Sequence, residues 1–212
     1  MTLQRKFATL SLLLGLTPLL AGCFGVAAVG MGSGALMLAD RRPSEIYIAD
    51  EATEVRGNTR INEKFGDRVH INLTSYDRTV LLTGEVPDST AKAEAEKIVA
   101  ALPGVKATVN ELQISGLSSL GSRSNDGYIT SKVKARFVDH NKFPANLVKV
   151  VTEGGVTYLI GMVTRSEAEA AVDIARTTGG VLRVVRVFEV ISDDDARRLD
   201  NRPISAAPAT GK

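Results

Sequence analysis

The chain has 212 residues, 44% of them hydrophobic and 24% charged, which is enough apolar material for one ordinary domain or two small ones. It has no Trp and only 5% aromatic residues, which argues against an aromatic-lined nucleic-acid platform. The formal charge of +2 misleads: Arg5 and Lys6 lie in a segment read below as cleaved, so the 26 basic residues fall to 24 against 24 acidic ones and no basic field for nucleic acid remains.

The N-terminus has the layout of a secretory signal peptide, residues 1–22. Arg5 and Lys6 form the basic start, and Leu10, Leu12, Leu13, Leu14, Leu16 and Leu19 form the apolar middle. Its end, Leu20-Ala21-Gly22-Cys23, resembles the bacterial lipobox, and Cys23 is the only cysteine in the chain. That resemblance implies cleavage between Gly22 and Cys23, a diacylglycerol on the Cys23 sulfur and acylation of the new amino group. No thiol is then left for a disulfide or a redox role. The covalent lipid on Cys23 is the one prosthetic group expected.

The uncharged run from Phe7 to Ala39 is long enough for a transmembrane helix. Pro18 and the glycines at 22, 25, 30, 32 and 34 weaken that reading, because both residue types are poor helix formers. Residues 23–45 are read instead as the acylated cysteine and a flexible tether. Acyl chains anchor at about 0.8 kcal/mol per buried CH2 without a spanning helix. In the sorting pathway that lipobox proteins follow, Asp after the acylated cysteine favours inner-membrane retention. Phe24 stands there, which implies the outer membrane with the globular part in the periplasm.

Asp40-Arg41-Arg42-Pro43 marks the end of the tether. An internal repeat follows: Thr79–Val86 aligns with Val156–Val163, with Gly84 and Gly161 77 residues apart and Ser89 and Ser166 at the same offset. Each copy shows the same signals. Ile61 and Phe65, and then Ile129, Val133 and Phe137, predict a short helix with one buried stripe. Val69, Ile71 and Leu73 alternate as a strand does, and Tyr76-Asp77-Arg78 turns into the partner strand. In the second copy, Glu153-Gly154-Gly155 joins Leu147–Thr152 to Val156–Val163 as a hairpin. An alanine-rich helix comes next. Ser166-Glu167-Ala168-Glu169 fits a capping box, and Asp88 or Ser89 caps the counterpart. Val105–Ile114 and Val181–Ile191 complete the copies.

The prediction is an α+β chain of two tandem α-β-β-α-β sandwiches, residues 46–115 and 127–192, with the helices on one face of a mixed sheet. Residues 116–126, rich in Ser and Gly, are expected to be a linker. Residues 193–212 are expected to be a disordered tail.

The order α-β-β-α-β, the hairpin ending Leu-Thr-Gly-Glu-Val86 and the stretch from Pro103-Gly104-Val105 to Asn110-Glu111-Leu112 together resemble the BON domain. Two such copies behind a lipobox are similar to the dual-BON-domain outer-membrane lipoproteins of proteobacteria. The resemblance implies association with phospholipid surfaces, maintenance of outer-membrane integrity and no catalysis. Copy two departs from the pattern at Val185-Arg186-Val187-Phe188.

No Gly-x-Ser-x-Gly, phosphate loop or dinucleotide fingerprint is present. His70 and His140 fall in different copies and no cysteine is free, so a solvated role is expected for each and no metal site. Charge is more informative. Residues 46–115 carry 11 acidic and 8 basic residues, and residues 127–192 carry 6 acidic and 9 basic. On the first helix of copy two, Tyr128, Lys132 and Arg136 share a stripe beside Ile129, Val133 and Phe137, with Lys142 just beyond. A basic stripe beside an apolar one suits an interfacial helix on anionic phospholipid. The candidate lipid-contacting residues are Tyr128, Lys132, Lys134, Arg136 and Lys142. The alternative for the apolar stripe is an ordinary core. The alternative for the whole chain is an adaptor for an envelope protein partner, with acidic copy one and Asp193–Asp195 as its contacts.

Overall fold

The computed structural model describes residues 40–202. The signal peptide, Gly22, Cys23, most of the tether and residues 203–212 lie outside the described residues. The order of elements is α1 (Ser44–Phe65), β1 (His70–Tyr76), β2 (Thr79–Val86), α2 (Ser89–Ala100), β3 (Ala107–Asn110) and β4 (Gln113–Ile114), then α3 (Leu120–His140), β5 (Val148–Glu153), β6 (Val156–Val163), α4 (Arg165–Arg176), β7 (Arg183–Val190) and α5 (Asp193–Asp200). No helix among the described residues is long and apolar enough to cross a membrane.

Each copy folds as the repeat predicts. β1 and β2 pair antiparallel, and β3 and β4 pair parallel to β2. In the second copy β5 and β6 pair antiparallel and β7 runs parallel to β6. The hairpin turns have positive φ at both central residues, Asp77 and Arg78 in one copy and Gly154 and Gly155 in the other. That geometry matches the twist of the flanking strands.

Both central strands are buried almost throughout, because each sheet is covered on two faces. Val80, Leu82 and Val86 pack with Ile61, Phe65, Ala95 and Val99 against the helices of the first domain. Leu159 and Val163 pack with Val133, Phe137, Ala171 and Ala175 in the second. The opposite sheet faces meet in a third cluster, Tyr76 and Leu81 from one domain and Val156, Tyr158 and Ile160 from the other. The two domains therefore pack back to back through their sheets.

Gly84 and Gly161 allow the chain to pass close to the neighbouring strand segment. A Cβ on Gly84 would lie 2.0 Å from the His70 carbonyl oxygen, and one on Gly161 would lie 2.2 Å from that of Leu147. Gly84 also has φ +114. Gly84→Ala is expected to destabilise by about 2–6 kcal/mol, the sum of overpacking and backbone strain at about 1–3 kcal/mol each. Gly66→Ala, at φ +53 with nothing within 4 Å, should cost less. Urea midpoints of the two variants check the order.

Four segments differ from the sequence expectation. Residues 40–45 are not flexible: Arg41 and Arg42 are 3% and 5% exposed and α1 begins at Ser44. The expected linker is helical from Leu120, capped by Ser119, whose hydroxyl accepts from Ser122 N–H. The expected tail begins with α5, where Ser192 caps and Asp193–Asp195 occupy the first turn, at the positive end of the helix dipole. The capping box of α4 lies two residues earlier than expected, on Thr164 and Glu167. Asp88 caps α2 by accepting from Ala91 N–H.

Candidate functional site: the outer face of the second domain

The apolar stripe on α3 is core. Ile129, Val133 and Phe137 are at most 2% exposed, and Asp126 continues the same stripe. At 100° per residue, the opposite side of the helix carries Leu120, Ser131, Lys134, Ala135 and Val138 within an arc of about 100°, with Tyr128 just beyond its edge. Leu120, Tyr128 and Val138 are 80%, 63% and 66% exposed. The apolar residues that face solvent are thus a different set from the predicted stripe.

The five candidate residues divide into three groups. Tyr128 and Lys132 come together, with Lys132 Nζ 4.6 Å from the Tyr128 ring centroid. Lys132 also donates to the Gly179 carbonyl. Arg136 Nη1 donates to the Ile174 carbonyl at 2.9 Å and to Thr178 Oγ1 at 2.8 Å. These carbonyls close the C-terminal end of α4, where a cation is favoured by the helix dipole. Lys132 and Arg136 are therefore half-buried ties between α3 and α4, not free charges. Lys134 stands exposed on the outer face, apart from the other four. Lys142, also exposed, borders a groove of about 490 Å³ between α3 and α4 that Arg136, His140, Glu169, Asp173 and Arg176 line as well. Among the described residues no carboxylate pairs with Lys134 or Lys142, whereas Arg176 is held by Asp173 at 2.8 Å.

Two polar assemblies were not legible in the motifs. Asp50 on α1 accepts from Ser75 Oγ, Asp77 N–H and Arg78 N–H, and pairs with Arg42 at 2.8 Å. Asp126 does the same for the second hairpin, accepting from Gly154 and Gly155 N–H. The 76-residue offset of these aspartates, one short of that of the glycines, was the available signal. Arg41 crosses between the domains. It donates to Glu167 through two nitrogens, to both oxygens of Asp200 and to the Met162 carbonyl. Burial opposes ionisation of Glu167, but the Arg41 guanidinium and the Thr164 cap more than offset it, and the carboxyl sits below its ordinary value.

His70 is not solvated as expected. Its Nδ1 lies 2.9 Å from Glu85 Oε2, and its side chain is 16% exposed. His70, Glu85 and Glu153 each offer a ligand atom within 4.8 Å of the others. Glu85 comes to His70 from the neighbouring strand and Glu153 from the other domain. Burial pushes the Glu153 carboxyl up; the Asn72 hydrogen bond and His70 oppose this, and Glu85 and Asp126 add to it. His140 is exposed, as expected.

The model of the BON domain matches residues 53–116 and again 125–192. The chain is 34% identical over 184 residues to the outer membrane lipoprotein DolP of Haemophilus influenzae, covering 86% of this chain and 95% of that one. It is 30% identical over 154 residues to a 21 kDa hemolysin of Actinobacillus pleuropneumoniae, covering 72% and 79% respectively. A solved structure of CdsD, a structural protein of the type III secretion system of Chlamydia trachomatis, superposes at TM-score 0.29 with 15% identity over 70% of this chain and 98% of that one, a likeness too slight to carry weight. Two matched domains in sequence and full-length similarity to an outer-membrane lipoprotein place the chain in the BON family, among its dual-BON-domain outer-membrane lipoproteins.

Proposed function

We propose that the second BON domain rests on anionic phospholipid, that the lipid on Cys23 supplies residence at the membrane, and that the protein supports outer-membrane integrity without catalysis. The observation that carries this reading is the outer face of α3. It carries exposed Val138 one turn from Lys134, with exposed Leu120 and Tyr128 nearer the start of the helix, and among the described residues neither Lys134 nor Lys142 has a carboxylate partner. Apolar side chains that enter the interface beside lysines that meet headgroups are what an interfacial helix needs. An acyl anchor then holds the domain at high effective concentration, so a weak headgroup contact suffices.

The test is co-sedimentation of residues 38–212, which keep Arg41 and Arg42, with anionic and zwitterionic vesicles at two salt concentrations. Binding to the anionic vesicles alone, weakened by salt, is expected. Lys134→Glu with Lys142→Glu should weaken it by at least about 2 kcal/mol, roughly 30-fold or more, since each reversal removes about 1 kcal/mol of attraction and adds repulsion. Unchanged binding of the double variant would sink the assignment. Lys132 and Arg136 are poor choices for reversal, since they fasten α3 to α4.

One observation favours a second reading, an adaptor for an envelope protein. Ile48 and Val55, seven residues apart on α1 of the acidic first domain, are 62% and 67% exposed. Asp194 and Asp195, by contrast, pair with Arg197 and Arg198 within α5. Crosslinking in cells from position 55 that recovers no reproducible protein would remove this reading.

A further inference from the structure

The seam between the domains holds a cluster that the membrane reading does not use. His70 on β1 and Glu85 on β2 belong to the first domain; Glu153, at the end of β5, belongs to the second. Glu85 and Glu153 are 8% and 6% exposed. Among the described residues neither pairs with a lysine or an arginine. Glu85 accepts from His70 and Ser118, and Glu153 accepts from the Asn72 amide. Two buried carboxylates without a fixed positive partner are costly to keep ionised.

The hydrogen-bond pattern shows where positive charge is wanted. The Asn72 amide nitrogen donates to Glu153 and lies 3.4 Å from His70 Nε2. With that amide as donor, Nε2 presents a lone pair and the imidazole proton sits on Nδ1, donating to Glu85. The imidazole is thus oriented by a carboxylate through one nitrogen and offers the other toward Glu153. Histidines at metal centres are held in this way. The Asn72 amide occupies the point between the two acceptors. Turned over, it offers its carbonyl oxygen to the same point.

We propose that His70 Nε2, Glu153 and the turned Asn72 carbonyl oxygen bind a first-row divalent cation, Zn2+ fitting best, with Glu85 orienting the imidazole through Nδ1, and that the ion ties the first domain to the second. Imidazole with a carboxylate suits such an ion better than Ca2+ or Mg2+, which take oxygen ligands. Bonds of about 2.0–2.2 Å need ligand atoms closer than 4.8 Å, and rotation of the Glu153 side chain supplies the difference. Because Glu153 comes from the opposite domain, the ion acts as a removable clasp on the seam.

The test uses the untagged full-length chain in detergent, stripped with a chelator. It is titrated with Co2+, read by visible absorption, and with Zn2+ in competition. One equivalent per chain is expected, with a rise in Tm on loading. His70→Ala and Glu153→Gln should each weaken binding at least about 10-fold, and His140→Ala should not. Gln at 153 keeps the volume and the acceptor for Asn72, so it reports on the ion even where His70→Ala disturbs the fold. Absence of stoichiometric binding, binding that survives Glu153→Gln, or binding lost in His140→Ala would each overturn the site.

Discussion

Asp50→Ala should destabilise the protein by about 3–5 kcal/mol, because it strips a buried guanidinium of one partner and a hairpin of its acceptor. The Asp50 side chain is 1% exposed, as is that of Arg42. Arg42 would keep Asp40 at 2.7 Å and its place 4.0 Å from the Tyr76 ring centroid, but one buried nitrogen would lose its acceptor. Ser75, Asp77 and Arg78 would lose theirs in the same step. Asp126→Ala is the natural comparison. It removes two backbone hydrogen bonds and no ion pair, so about 1–3 kcal/mol is expected. Urea unfolding of both variants decides. Equal costs would mean that Arg42 contributes nothing to the difference between the copies.

That pair of aspartates also shows why the fold was legible in outline and the site only in part. The strands, the alanine-rich helices and the hairpins follow from periodicity and turn chemistry, and the repeat doubled each signal. The first half of α1 and the start of α3 gave no such signal. Their buried positions are Asp50, Thr53 and Gly57, and then Asp126, so the inward stripe there is polar. Gly57 is inward because its helix passes close to Leu73: a Cβ would lie 2.4 Å from Leu73 Cδ1. A Ser/Gly-rich stretch such as 118–126 has little helix propensity of its own. It is held by the Ser119 cap and by the grip of Asp126 on the second hairpin, and tertiary contacts override propensity. The basic stripe lies on the flank of α3 that the spacing predicts, and there Lys132 and Arg136 also tie α3 to the end of α4. Only the C-terminal carbonyls of α4, distant in sequence, reveal that tie. His70 was misread for the same reason. Its partner Glu85 is 15 residues away, and Glu153 arrives from the other domain.

The seam sets the second large effect. Tyr158→Ala is expected to cost about 3–4 kcal/mol, the range for emptying a buried aromatic site. Tyr158 is 1% exposed and packs among Tyr76, Leu81, Val156 and Ile160, with the burial that holds it there pushing its phenol up to about 12. Tyr158→Phe keeps the ring and should cost far less. The manner of unfolding matters as much as the size. A domain of this length buries a modest share of its surface, and the sheet face turned to the seam would be an exposed apolar surface if the partner left. Neither domain is then expected to persist alone, and the variant should unfold in one cooperative step at a lower denaturant midpoint. Two separated transitions would show instead that each sandwich stands by itself and that the seam is an interface rather than a shared core. In that case Arg41, clamped by Glu167 and Asp200, would remain to hold the domains in register. An unchanged midpoint would contradict the packing of the sheets against one another. The result bears on the membrane reading too, since a lipid-facing α3 acts on the rest of the body only through a seam that does not give.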